Sequence, residues 1–398
     1  MITTTVPTVT TVCVALAGSP KTYPILIGSG LLSQLSYLLT THVFTSGKNG
    51  KVLIVTDSTV AQLYLNTVET LLRTTGIHTT TVVVPAGEQA KSAQQLQRIY
   101  EACHILGITR KDALLALGGG VVGDLTGYAA ATYYRGCQFV QVPTTLLAQV
   151  DSSVGGKVAI NFKDVKNAIG TFYQPSLVVA DTDCINTLPH KEKLAGLAEM
   201  LKYAFIEQAA LGTEHTVTNT DSFLTLYETL GSQWMTQLPT LIARCCKLKA
   251  AVVTRDEQET AAADDATGRV CLNLGHTFAH AYEASLGYGA LLHGEAVAIG
   301  MQQAFWLSER LGLVTLQTYQ RVLAILTTLE LFPIALASTN LPTPTQLVSL
   351  MQKDKKVLTS NSLRLILPCE PIGMLVVKQD VTAAEVEAAL AQYPLDTI

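Results

Sequence analysis

The chain has 398 residues, of which 48% are hydrophobic and 15% charged, and its formal net charge is −4. That length suits two domains with separate cores, and that composition excludes a disordered chain. The absence of a long basic run argues against nucleic-acid binding, and no run of about eighteen apolar residues argues for a membrane span.

In chain order, the start is Thr-rich, with neither a basic n-region nor the arginines of a transit peptide. It reads as an untargeted segment leading into a strand. VLIVT (52–56) is an apolar strand ending at Asp57, and a helical pattern follows to about Arg73. A β-branched strand runs from Thr79 to Pro85, and a helix from Ser92 to just before Gly107. ALLAL (113–117) enters a glycine turn and a small-residue helix. FVQV (139–142) and LVVAD (177–181) are further strands, with a buried-looking Asp-Ser-Ser at 151–153 lying between them. Continuous apolar strands separated by helices predict a mostly parallel, Rossmann-like sheet covered on both faces, an α/β domain over residues 1–188. Its ligands belong beyond the carboxyl ends of the strands. Over 189–398 the periodicity turns helical, at 191–208, 238–257, 277–285, 294–311 and 315–329. A polar loop is expected at 212–222, and strand signal returns only at 363–367 and 374–377, so this domain is predicted to be mainly α-helical. The eight cysteines are scattered without a CxxC and read as reduced, buried residues of a cytosolic protein.

Three constellations carry chemistry. Gly118, Gly120 and Gly123 fit GxGxxG between a strand and a helix, where backbone N–H groups attract a pyrophosphate. Asp57 ends an earlier strand and is the candidate for the ribose, with Glu88 and Lys91 near the adenosine side. The second set is histidine-rich. His276 and His280 are four apart on one helical face, His293 follows in LLHGEAVAIGM, and GLAEMLKYA supplies Glu199 and Lys202. Two or three histidines plus a glutamate suit a catalytic zinc with an open position, and HTFAH is not the HExxH of a zincin. The third set is cationic: Lys157, Lys166 before Asn167, Lys249, Arg269 and the pair Lys355–Lys356. Such groups bind phosphate or carboxylate, although each alone reads as a solvated surface charge.

Together the segments GGGVVGDLTGYAAATYYRG, VPTTLLAQVDSSVGGK, KNAIGTFYQP, TLPHKEKLAGLAEMLKYA, LNLGHTFAHAYE and LHGEAVAIGM resemble the 3-dehydroquinate synthases of the sugar-phosphate cyclase family, over about Tyr23 to Gly373. The resemblance implies an NAD- and zinc- or cobalt-dependent lyase of the shikimate pathway, cytoplasmic and homodimeric. It would take 3-deoxy-D-arabino-heptulosonate 7-phosphate to 3-dehydroquinate and phosphate. It implies metal ligands Glu199, His276 and His293, and moves His280 to the phosphate site. The other catalytic and phosphate contacts it implies are Asp151, Lys157, Lys166, Asn167, Lys202, Lys249, Arg269, Asn273 and Lys356, with Arg135 reaching the partner subunit's phosphate. The implied cofactor contacts are Asp57, Glu88, Lys91, Gly119, Gly120, Val121, Asp124, Thr144, Thr145, Thr187 and Leu188. Phe162 and Ala279 depart from the family's usual His and Gly. The implied chemistry is transient oxidation, phosphate elimination, reduction, ring opening and an intramolecular aldol closure. The alternatives are another sugar-phosphate cyclase and a metal-dependent polyol dehydrogenase. The latter normally pairs an Asp ligand with a His four residues on, where this chain has Glu199 and Tyr203.

Overall fold

The computed structural model describes residues 9–16, 22–44, 50–163, 165–212, 217, 222–262, 264–287, 290–332, 342–354 and 362–392. Its contacts divide the chain into two units, Met1–Pro189 with Pro239–Ala250, and His190–Leu238 with Ala251–Ile398.

In the first unit the apolar runs become strands β1 (Thr10–Ala15), β2 (Thr22–Gly28), β3 (Lys51–Asp57), β4 (His78–Val84), β5 (Ala113–Gly118) and β6 (Gln138–Pro143), followed by β7 (Lys157–Phe162), β8 (Val165–Phe172) and β9 (Leu177–Asp181). Seven of them form one sheet in the order β1-β2-β9-β6-β5-β3-β4. Every pair is parallel except β1 with β2. The one strand expected after the Thr-rich start appears as two, β1 and β2, and β2 accommodates Pro24. The parallel ladder to β9 begins only at Ile25, opposite Val178, so the missing proline N–H lies outside it. The antiparallel hairpin β7–β8 was not among the expected elements. Its second strand, VKNAIGTF, is largely exposed and too polar to read as a buried strand.

Helices α1 (Leu35–His42), α2 (Ser58–Val60), α3 (Asn66–Thr74), α4 (Ala93–Leu106) and α5 (Gly120–Thr132) cover the sheet. Alternate residues of each strand serve opposite faces. Ile54, Leu115, Leu117, Val140 and Val142 pack with Leu35, Leu39, Val68 and Leu72. Leu53, Val55, Leu114, Ala116 and Phe139 pack with Leu96, Ile99, Leu125 and Ala129. All of these side chains are buried, and full burial of each Val, Leu, Ile or Phe among them stabilises by about 1.5–3 kcal/mol.

The second unit holds α6 (His190–Phe205), α7 (Glu207–Leu211), α8 (Phe223–Leu230), α10 (His276–Leu286), α11 (His293–Arg310), α12 (Leu316–Thr328), α13 (Pro344–Asp354) and α14 (Ala383–Leu390), with the hairpin β10 (Ser362–Cys369) and β11 (Met374–Thr382). Helix α9 (Leu238–Arg255) contributes 239–250 to the first unit. The single helix expected over 191–208 is interrupted at Ile206. There Ala209 N–H donates to Gly373 O at 2.9 Å, and Glu207 accepts from Phe223 N–H at 2.7 Å. The loop expected at 212–222 and Lys355–Lys356 lie mostly or wholly outside the described residues. Among the described residues no helix is long and apolar enough to cross a membrane. All eight cysteines are free, and six are buried, but Cys13 is exposed and Cys369 half-buried, against the expectation of uniform burial. Burial pushes the thiols of Cys103, Cys137, Cys184, Cys246 and Cys271 up to about 12. They are therefore inert at neutral pH.

Candidate active site

The first unit gathers its polar residues at the carboxyl ends of the parallel strands. From β3 the chain steps outward to β4, then returns to the other side of β3 to lay down β5 and β6. Ligands bind where strand order reverses in this way. Asp57 ends β3 and caps α2, its Oδ1 accepting from Thr59 N–H at 2.8 Å and Val60 N–H at 3.1 Å. Next to it β5 ends at Gly118, and Gly119 is the N-cap of α5 with no side chain bonded across the helix start. The N–H groups of Gly120 and Val121 thus open the helix with its positive dipole end, a place for an anion. Side chains would crowd this turn. A Cβ on Gly119 would lie 3.1 Å from Thr145 Cγ2, one on Gly120 2.9 Å from Ser152 Oγ, and one on Gly123 2.9 Å from Gln141 Oε1. Thr144 N–H donates to Gly118 O at 3.1 Å, and Thr145 Oγ1 accepts from Ala148 N–H at 3.2 Å, so β6 braces the turn.

Around this turn stands a charged network. Lys91, buried, donates to Asp124 Oδ2 at 2.6 Å and to Asn167 Oδ1, with Glu88 Oε1 at 3.9 Å. Burial raises the Asp124 carboxyl, and Lys91 opposes that rise. Thr187 Oγ1 lies 2.5 Å from Tyr64 OH, and Leu188 follows it at the end of the same turn. Lys249 donates to Asp151 O at 2.6 Å and to Asp151 Oδ1 at 2.9 Å. Only Ser153 of the Asp-Ser-Ser is fully buried; Asp151 and Ser152, which end a π-helical turn, are half-buried. Lys157 opens β7, while Lys166 and Asn167 lie on β8. Arg135 is exposed and joins none of these contacts among the described residues. Its loop carries three successive positive φ angles, 50° at Tyr134, 61° at Arg135 and 122° at Gly136. For two bulky residues that is backbone strain of the kind found at functional sites.

The second unit assembles the histidine set. Glu199 on α6, His276 at the start of α10 and His293 at the start of α11 offer ligand atoms within 4.8 Å of one another. Both Nε2 atoms lie 3.5 Å from Glu199 Oε1. The far nitrogens are also occupied: His276 Nδ1 faces Leu274 O at 3.1 Å, and His293 Nδ1 faces Glu283 Oε1 at 3.3 Å. A carbonyl or carboxylate at Nδ1 keeps the proton there and leaves the Nε2 lone pair for a metal. Lys202, itself buried, contacts Glu199 Oε2. Burial, with the Lys202 charge, drives His276 down to about 3. Burial also works against charge on His293, but its bonds to Glu199 and Glu283 outweigh that and push it up to about 10.

His280 is exposed and outside this set, its ring 5.6 Å from that of His276 and 6.4 Å from that of His293. Arg269 is buried, its Nε donating to Asp256 O at 2.7 Å and its N–H to Asp256 Oδ2 at 3.0 Å. Burial opposes ionisation of Asp256, but backbone N–H groups of Arg269, Ala261 and Thr260 hold its carboxyl below the usual range. Asn273 is exposed at the end of the turn that Arg269 begins. Lys356 lies outside the described residues. Sequence reasoning missed Glu283 and Asp256. Glu283 was the more accessible of the two, since it stands seven residues beyond His276 on one helical face.

Residues 81–195 match the 3-dehydroquinate synthase N-terminal family and residues 196–357 the 3-dehydroquinate synthase C-terminal family. A 3-dehydroquinate synthase of Shewanella halifaxensis is 44% identical over 364 residues, 91% of this chain and 94% of that protein. The structure of 2-deoxy-scyllo-inosose synthase with carbaglucose-6-phosphate, NAD+ and Co2+ superposes with a TM-score of 0.79 at 23% identity, covering 96% of this chain and 99% of that one. The 2-epi-5-epi-valiolone synthase of Streptomyces hygroscopicus, with NAD+ and Zn2+ bound, gives 0.77 at 28% identity, covering 95% and 98%.

Proposed function

The chain belongs to the 3-dehydroquinate synthase family, and we propose that it converts 3-deoxy-D-arabino-heptulosonate 7-phosphate to 3-dehydroquinate and phosphate in the shikimate pathway. The observation that carries this reading is the convergence of Glu199, His276 and His293, with both far imidazole nitrogens held. That donor set fits zinc or cobalt, one carboxylate and two imidazoles leaving room for substrate oxygens. The glycine turn fits the pyrophosphate of NAD, since a Cβ at Gly119 or Gly120 would fill it. When bound, NAD lends and regains a hydride while the metal polarises substrate hydroxyls, so the net reaction is that of a lyase.

The chain's own residues bind, orient and neutralise. Gly119, Gly120, Val121 and Asp124 flank the pyrophosphate, and Asp57 takes the ribose. Glu88, Lys91, Thr144, Thr145, Thr187 and Leu188 complete the cofactor set. Lys157, Lys166, Asn167, Arg269, His280 and Lys356 supply charge and donors for the substrate phosphate, which strengthens as a leaving group when its charge is neutralised. Asp151, Lys202, Lys249 and Asn273 orient the substrate carboxylate and hydroxyls. We assign the cofactor role to a domain of residues 1–188 and the metal and substrate role to 189–398. We also propose a cytoplasmic homodimer in which Arg135 reaches the partner subunit's phosphate site. The strained loop that presents it supports this.

A substrate panel tests the reading. Phosphate release is expected from the heptulosonate phosphate, at least about a hundredfold faster than from a hexose 6-phosphate or a heptulose 7-phosphate, a margin worth about 2.7 kcal/mol. Preferential turnover of either of the others would make the chain a sister cyclase.

A further inference from the structure

The hairpin β7–β8 changes register in an informative place. Ile160 pairs with Ile169, but Phe162 pairs with Val165, so Asn161 faces an expanded stretch of β8 that contains Lys166 and Asn167. Asn167 has φ 54°, a left-handed conformation that turns its backbone out of the regular ladder. Its N–H donates to Asn161 Oδ1 at 2.9 Å. The other half of the same amide, Asn161 Nδ2, donates to Glu88 Oε1 at 2.8 Å. The backbone N–H of Asn161 donates to Lys91 O at 2.8 Å, and Lys91 Nζ returns to Asn167 Oδ1. The result is a closed ring of Asn161, Glu88, Lys91 and Asn167, anchored to α5 through Lys91 and Asp124 at 2.6 Å.

We propose that Asn161 is a positioning residue that couples the cofactor side of the site to its phosphate side. It holds Glu88 with its donor and Asn167 with its acceptor, so neither can shift without the other. The inference rests on the functional reading above, which places Glu88 against NAD and Asn167 against phosphate. The bond to Asn167 N–H alone would staple the hairpin. The bond to Glu88 is not needed for that, and it reaches a different segment of the chain. An asparagine suits the place because its amide presents a donor and an acceptor together. An aspartate would keep the acceptor but set a second carboxylate against Glu88.

The test is a cycle of Asn161→Asp, Glu88→Gln and the double variant, read by NAD+ titration calorimetry, steady-state kinetics and thermal unfolding. Asn161→Asp is expected to weaken NAD+ binding about tenfold, the weight of one hydrogen bond to a charged group. It should raise KM for the sugar phosphate similarly while kcat falls less. In the double variant the polarity of the contact is reversed and the new amide at position 88 donates back. Both constants should then recover relative to the sum of the single changes. A simple staple would lower the melting temperature without this recovery. Wild-type protein that binds NAD+, with Asn161→Asp unchanged in both constants or with the two changes strictly additive, overturns the coupling alone. Wild-type protein that fails to bind NAD+ overturns the functional reading and the coupling with it.

Discussion

Each histidine proposed as a ligand has a neighbour on its far nitrogen that favours the useful tautomer, Leu274 O for His276 and Glu283 for His293. His280 has no place in that arrangement, although its spacing from His276 invites an i, i+4 metal pair. The distinction is measurable. His276→Ala and His293→Ala are expected to lose the metal, whereas His280→Ala retains it and loses most of its activity. Metal content of the purified variants checks this, and equal loss in all three would add His280 to the ligand set. At this scale the sequence was legible wherever a residue type and a motif coincided, as at Glu199, His276 and the glycines of the α5 turn. Glu283 and Asp256 were not, because their work is defined by a partner on another element. Glu283 acts on α11 from α10, and Asp256 shapes a turn thirteen residues further on.

Helices meet at the proposed metal site because glycines let their backbones touch. A Cβ at Gly294, next to His293 on α11, would lie 2.0 Å from Ala195 O on α6. One at Gly300 would lie 2.1 Å from Gly275 O, and Gly275, with φ 78°, directly precedes His276. These contacts set the spacing of the three elements that carry Glu199, His276 and His293. Gly294→Ala is therefore expected to destabilise the protein by about 1–3 kcal/mol, the usual range for overpacking, and to reduce metal retention at temperatures where the fold persists. Thermal unfolding with metal analysis reads both; normal stability and full metal would mean that α6 and α11 can separate without harm. The parallel strands and most helices were plain from continuous apolar runs and helical periodicity. The β7–β8 hairpin was hidden because β7 buries only the short run Val158–Ile160 between polar ends, and β8 is almost wholly exposed. The end of α6 was hidden because a tertiary bond, Ala209 N–H to Gly373 O, governs the segment that follows it.

Across the whole molecule the chemistry draws on distant sequence. Lys249 belongs with the first unit although α6, α7 and α8 precede it in the chain, and it bonds Asp151 there. A contribution from a second copy is the further step proposed for Arg135. Mixing Arg135→Ala chains with Lys157→Ala chains, each impaired alone, should restore one complete site per mixed dimer and up to about half the wild-type activity. Demonstrated heterodimers without recovery would confine Arg135 to its own subunit. In the proposed reaction a hydride is lent and returned while phosphate leaves. Phosphate release and absorbance at the NADH band should be followed together in metal-loaded protein given NAD and the heptulosonate phosphate. Sustained phosphate release is expected, abolished by a chelator, with no net NADH. Steady NADH formation in proportion to substrate consumed would contradict it and make the protein a dehydrogenase.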